Sequence, residues 1–134
     1  MSNIKFINNF AKAAKELEAT NKRNMRDAVV TVYRELMQIL SGPRSGRMYF
    51  VPGTKKLYQA SAGGEAPARR TAALARSYRF EVEPTGLYGV VGTNNKYAAD
   101  LEYGTSRMEK RPHLSTAFER TADAVKRLLA RGPK

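Results

Sequence analysis

The 134-residue chain has no cysteine, one histidine, and 24 basic against 12 acidic side chains, for a net charge of +12. That length fits one domain with a modest core, and the lack of cysteine excludes disulfides, thiolate catalysis and cysteine-based metal sites. No window reaches the length of a membrane span, and the opening MSNIKFINNFAKAAKEL lacks the apolar run of a signal peptide, so the expectation is a soluble protein, intracellular when made, with no membrane partner.

The charge is uneven. Residues 1–40 contribute +3, residues 41–80 contribute +7 and residues 81–134 contribute +2. A basic block of this kind points to a polyanionic partner, or to a loop kept solvated by its own charge. Charge alone does not separate the two.

In chain order, Ile4, Ile7, Phe10, Ala11, Ala14 and Leu17 recur at steps of three and four, one apolar helix face. Met25, Val29, Val32, Leu36 and Ile39 or Leu40 repeat the pattern over residues 22–40. Thr20-Asn21 interrupts the rhythm, which allows two helices or one long helix with a weak point. Ser41-Gly42-Pro43 ends the helical region. A long basic segment follows, with two β-prone runs, Met48–Val51 and Leu57–Ala60, around the turn signal Pro52-Gly53-Thr54. This predicts a hairpin, followed by a flexible loop over residues 61–68. So long a loop is usually functional or disordered, and this one holds Arg44, Arg47, Lys55, Lys56, Arg69 and Arg70.

Residues 71–78, TAALARSY, favour a short helix, with Leu74 and Tyr78 four apart on one face. Residues 79–83 alternate as a half-buried strand does, Pro84-Thr85-Gly86 turns the chain, and residues 87–92 run back. Gly89 inside that return strand points to a bulge or a close approach by another backbone. Residues 96–103 form a short helix with Tyr97, Ala98, Leu101 and Glu102 inward, stopped by Gly104. After a charged bend, Pro112 precedes a last helix carrying Leu114, Ala117, Phe118, Thr121, Val125, Leu128 and Leu129 at helical spacing. The fold class expected is α+β: a small antiparallel β-sheet packed by N-terminal and C-terminal helices, with a long basic hairpin loop, in a single domain.

Little in the chain resembles catalytic machinery. His113 is the lone histidine, with no neighbouring carboxylate cluster, and reads as a packed or capping residue. Gly63-Gly64 lacks the Lys-Ser/Thr of a phosphate loop. No catalytic residue, metal or cofactor is expected. The basic loop does interleave charge with Tyr49, Phe50 and Tyr58, as nucleic-acid surfaces do, yet no helix-turn-helix, zinc-finger or RNA-recognition pattern is present.

Tyr97-Ala98, Glu102-Tyr103-Gly104-Thr105, then Arg111-Pro112 before a terminal helix with Ala117 resembles the tail-completion (head–tail joining) family of long-tailed double-stranded DNA phages and prophages. Upstream, Tyr58-Gln59-Ala60-Ser61-Ala62 with Gly64-Glu65-Ala66-Pro67, and Thr71, Leu74 and Ser77, are similar to that family's loop and short helix. The resemblance covers roughly residues 45–120. The sequence departs from the pattern at Ala72, where Gly is usual, and at His113, where Phe is usual. The resemblance implies a structural virion protein of the neck, made in the host cytoplasm. It would be a homo-oligomeric, six-fold ring that joins the tail tube protein to the head-completion proteins, with DNA passing through its lumen. Another neck component, such as a head-closure or adaptor protein, and a small non-specific DNA-binding protein are the alternatives.

The resemblance and the residues together single out two groups. Arg44, Arg47, Lys55, Lys56, Arg69 and Arg70 form a DNA- or partner-facing arm over residues 44–70. Tyr97, Glu102, Gly104, Thr105, Arg111 and Pro112 form a structural clamp or subunit interface. In it Glu102 pairs with Arg111 across a turn that needs φ > 0 at Gly104.

Overall fold

The structure is a computed structural model that describes residues 2–42 (side chains from Phe10 onward), 44–50, 52–67 and 73–133. Ile4 and Ile7, as side chains, and Pro43, Val51, Ala68, Arg69, Arg70, Thr71 and Ala72 lie outside the described residues.

The N-terminal apolar rhythm forms one uninterrupted helix, α1 (Ser2–Ser41). Thr20 does not break it. Its hydroxyl donates to the Glu16 carbonyl at 2.9 Å and the residue is buried, so the polar interruption is absorbed within the helix's own ladder. The two halves of the apolar stripe meet different fates. Ala28, Val29, Val32, Leu36, Ile39 and Leu40 are buried, whereas residues 10–19, Phe10 and Leu17 included, are exposed. At 1.5 Å per residue, the stretch 2–19 runs about 27 Å along the helix axis.

The buried half of α1 packs on a hairpin of β3 (Tyr78–Val82) and β4 (Gly89–Thr93), and alongside α4 (Leu114–Leu129). The strands pair antiparallel from Tyr78↔Thr93 to Val82↔Gly89. Alternation turns Tyr78, Phe80 and Val82 away from the exposed Arg79 and Glu81, and Tyr33 of α1 meets Phe80 at 5.2 Å between ring centroids. Gly89 admits the Val29 and Met25 side chains of α1, which a Cβ there would meet. The close approach read from its position is therefore real, although it comes from side chains. Gly86, at φ +78°, sits against the α1 backbone at Asn21-Lys22 with no room for a Cβ. The hairpin turn is thus seated directly on the helix.

The last helix, α4, runs antiparallel to α1. Arg120 reaches Glu35 at 3.4 Å near one end of the pair, and Arg131 reaches Asp27 at 2.5 Å near the other. Asn24, almost fully buried, donates to the Arg131 carbonyl at 2.7 Å. Val32, Leu36, Ile39, Leu40, Tyr78 and Ala117 form the centre of the core. Burying each large aliphatic there contributes about 1.5–3 kcal/mol.

Among the described residues, four helices and two small antiparallel hairpins make the fold α+β, as expected. The strands do not merge into one sheet. The first hairpin, β1 (Met48–Phe50) and β2 (Leu57–Gln59), stands apart from the second. The short helix α2 (Ala73–Ser77) stops before Tyr78, which belongs to β3 instead of sharing a helical face with Leu74. The remaining helix is α3 (Ala98–Tyr103). Among the described residues, no helix is long and apolar enough to cross a membrane.

Candidate functional site

The region 97–119 is a clamp, built differently from the sequence expectation. Helix α4 has no acidic residue in its first turn, and its N-cap residue, His113, makes no side-chain capping bond. The cap comes from α3. Glu102 accepts backbone N–H bonds from His113 at 2.9 Å, Leu114 at 3.1 Å and Ser115 at 2.9 Å, and one from the Ser115 hydroxyl. These are the donors that a helix start leaves without partners, and a carboxylate there also meets the positive end of the helix dipole. Burial pushes the Glu102 carboxyl up, but the Ser115 hydroxyl and the backbone N–H groups of His113 and Ser115 outweigh it and hold it below the usual carboxylate range.

The predicted Glu102–Arg111 pair does not form. The Arg111 guanidinium instead donates to the Ser61 hydroxyl at 2.6 Å, while its backbone N–H donates to the Leu101 carbonyl at 2.6 Å. Three backbone donors close together outcompete one cation for the carboxylate. Arg111 therefore fastens the clamp to the base of the basic arm. Gly104 supplies the sharp turn as expected, at φ +80° and ψ 172°, and a Cβ there would lie 2.8 Å from the Lys110 nitrogen. That backbone region is essentially restricted to glycine. Thr105 closes the bend by a two-way backbone bridge with Met108, and Pro112 lies partly buried before α4. Tyr97, expected inward, is 72% exposed, and Tyr103 is 81% exposed. With Asp100 between them, the two project from α3 at steps of three.

His113 is fully buried and sits where the network dictates its tautomer. Its Nδ1 lies 3.0 Å from both the Arg111 carbonyl and Glu102 Oε2, which are acceptors, so Nδ1 carries the hydrogen. Its Nε2 then accepts from the buried Tyr78 hydroxyl at 2.5 Å. Burial, with a smaller contribution from Glu102, raises the Tyr78 hydroxyl above its ordinary range. The sequence reading places Tyr78 on a helical face with Leu74 and misses this bond, because nothing local links it to a histidine 35 positions away.

The basic arm is tied at its root and open at its tip. Gly46 donates to the Ala60 carbonyl at 2.8 Å, Ala60 to the Arg47 carbonyl at 2.9 Å, and Gly64 to the Lys110 carbonyl at 3.0 Å. Glu65, the only acid in residues 41–80, accepts from the Ser45 hydroxyl, the Ser45 N–H at 3.0 Å and the Ala62 N–H at 2.9 Å. These bonds, the Ser45 hydroxyl foremost, bring its carboxyl down to about 2. Its being the lone acid in so basic a stretch was the available signal for that role. Arg44 belongs to the same root: it donates to Ile39 O at 2.5 Å, Gly42 O at 2.8 Å and Pro67 O at 3.0 Å, closing the C-terminus of α1. Its guanidinium therefore faces this chain's own carbonyls. Arg47, at the root, and Lys55 and Lys56, at the tip, are exposed, whereas Arg69 and Arg70 lie outside the described residues.

An open groove of about 400 Å³ crosses the outer face of β3–β4 between Ser77, Arg79, Val90 and Asn94. Among the described residues, no group of three or more His, Asp or Glu side chains could hold a metal ion. Compared with known proteins, the chain matches no family model, no curated relative and no solved structure.

Proposed function

We propose that this protein is a structural neck component of a long-tailed phage or phage-like particle. It would form a ring that completes the tail and joins it to the head, acting through binding and without catalysis. The observation behind this reading is the distribution of its exposed apolar residues. Large side chains protrude at separate places: Leu17 on the free half of α1, Phe50 and Leu57 on the arm, Leu87 and Tyr88 at the second hairpin turn, and Tyr97 and Tyr103 on α3. Phe50 with Leu57, Leu87 with Tyr88 and Tyr97 with Tyr103 are exposed in pairs at separate places, and a head-to-tail ring needs two different contact surfaces on each subunit. Two short hairpins with unshared edges add further places for strand addition.

The resemblance over roughly residues 45–120 supports the family, and the clamp gives its Glu-Tyr-Gly-Thr and Arg-Pro elements a physical role. They fix α3, the bend and the start of α4 as one unit, which holds Tyr97 and Tyr103 outward. The tail tube protein and a head-completion protein are the partners in this reading, and DNA in the lumen is a further contact. The arm tests it. Replacing residues 48–58 with a short turn leaves the Gly46–Ala60 root in place. Such a variant should stay folded yet fail to join heads to tails in an assembly assay. Normal joining by a folded, tip-less variant would count against the arm as an assembly contact.

A further inference from the structure

The tip of the arm has two unlike faces. Register places Tyr49 opposite Tyr58, with Phe50 opposite Leu57 and Met48 opposite Gln59 on the other side. One face is therefore apolar, with Met48, Phe50 and Leu57 each more than half exposed. The other is cationic and aromatic. The Arg47 guanidinium carbon lies 5.9 Å from the Tyr49 ring centroid, and the Tyr49 and Tyr58 rings lie 6.1 Å apart at 31°. Lys56, two residues before Tyr58, extends that side by strand alternation.

We propose that the Arg47–Tyr49–Tyr58–Lys56 face is a nucleic-acid contact surface, taking phosphates on its two cations and base or sugar faces on its two rings. Charge complementarity favours a polyanion, since no acidic residue occurs between Glu35 and Glu65. Among the described residues neither Arg47 nor Lys56 has a carboxylate partner. Stacking a guanidinium on a ring leaves its in-plane N–H edge free to grip a phosphate. Two neighbouring rings on an exposed hairpin face, tilted by 31° to one another, suit bases, every one of which has a π-face, so binding should be tolerant of sequence and stronger for a single strand than for a duplex. A protein partner would sooner seat on the opposite, apolar face. The proposal deepens the ring reading and rests on it for the DNA being close at hand. Because the test uses free protein, a failure to bind and a failure to form rings are read separately.

The test is fluorescence anisotropy of a labelled oligothymidylate and of a duplex of equal length, across salt from about 50 to about 200 mM. The double variant Arg47→Gln/Lys56→Gln should flatten the slope of log affinity against log salt for the single strand by about 1.4, two phosphates' worth. Tyr49→Ser/Tyr58→Ser should weaken single-strand binding at least about fivefold per ring with the slope unchanged. Tyr49→Phe/Tyr58→Phe keeps the rings and should bind as the parent does, which separates lost stacking from a lost hairpin. Phe50→Ser/Leu57→Ser on the opposite face should leave affinity unchanged. The proposal is overturned if the parent protein does not bind the oligothymidylate at the lowest salt. Equal losses from the opposite-face pair, or from Lys12→Gln/Lys15→Gln on α1, would overturn it too, as would loss of binding in the Phe pair.

Discussion

Glu102→Ala isolates the interaction that holds the clamp. The substitution removes the acceptor of three backbone N–H groups and one hydroxyl at the start of α4. Hydrogen bonds to a charged group contribute about 1.5–3 kcal/mol each, and a buried donor left without its partner costs about 1–3 kcal/mol. Deleting an ordinary N-cap costs about 0.5–2 kcal/mol. Ser115 is exposed, so water replaces its bonds, whereas His113 is fully buried and loses more. Taken together these give a loss of about 2–4 kcal/mol, since single contributions do not simply add. At roughly 3–4 °C per kcal/mol for a chain of this size, the melting temperature should fall by about 6–16 °C. Thermal unfolding followed by circular dichroism reads this directly. A double-mutant cycle then identifies the partner. Glu102 with Ser115 should show a coupling above about 0.5 kcal/mol, and Glu102 with Arg111 should not. A melting temperature unchanged by Glu102→Ala, or coupling to Arg111 alone, would refute the capping account.

Other expectations follow from neighbouring geometry. Gly104→Ala places a Cβ 2.8 Å from the Lys110 nitrogen in a glycine-only backbone region, and should cost at least about 1–3 kcal/mol by denaturant unfolding. Tyr78→Phe removes the hydroxyl that His113 Nε2 accepts from and leaves a buried acceptor unsatisfied, a loss of about 1–3 kcal/mol by the same measurement. The Glu65 carboxyl is lower in the folded protein, at about 2, than its ordinary 4.5. Its contribution is therefore fully present above pH 4.5 and is lost as pH falls from there towards 2. The protection of the Ser45 and Ala62 amides, measured against their intrinsic exchange rates, should fall over that window, and protection that stays flat would contradict the assignment. Removing residues 1–17 takes away no side chain of the described core, so the melting temperature should change by less than about 4 °C, or 1 kcal/mol.

Periodicity made much of the fold legible. It located both long helices, both hairpins and the glycine turn, because burial of one face is what sets each pattern. It could not say whether a face is covered. Leu17 and Leu36 occupy the same kind of stripe on one helix, yet the first is exposed and the second has no exposed surface at all. Amphipathicity records a face and leaves its partner open. Tyr97 was misplaced for a related reason: an aromatic at helical spacing looks like core until the neighbouring elements are known. Glu102 and Arg44 show a second limit. Both were read as charges in search of opposite charges or a polyanion, and both turn instead to the backbone ends of helices. Backbone donors and acceptors have no letter in a sequence, so a side chain that serves them looks unpartnered. The expected Glu102–Arg111 bond thus gives way to bonds that no pair of letters shows. The arm's division into two faces follows from register, which two three-residue strands set only once paired.

The claim of a head-to-tail ring is tested most directly by imaging the protein with its tail tube. Negative-stain micrographs of purified protein mixed with the tail tubes of its own particle should show closed rings, six-fold by the family resemblance, seated on one end of each tube. Tubes with bare ends, beside a protein that remains monomeric at every concentration, would contradict it.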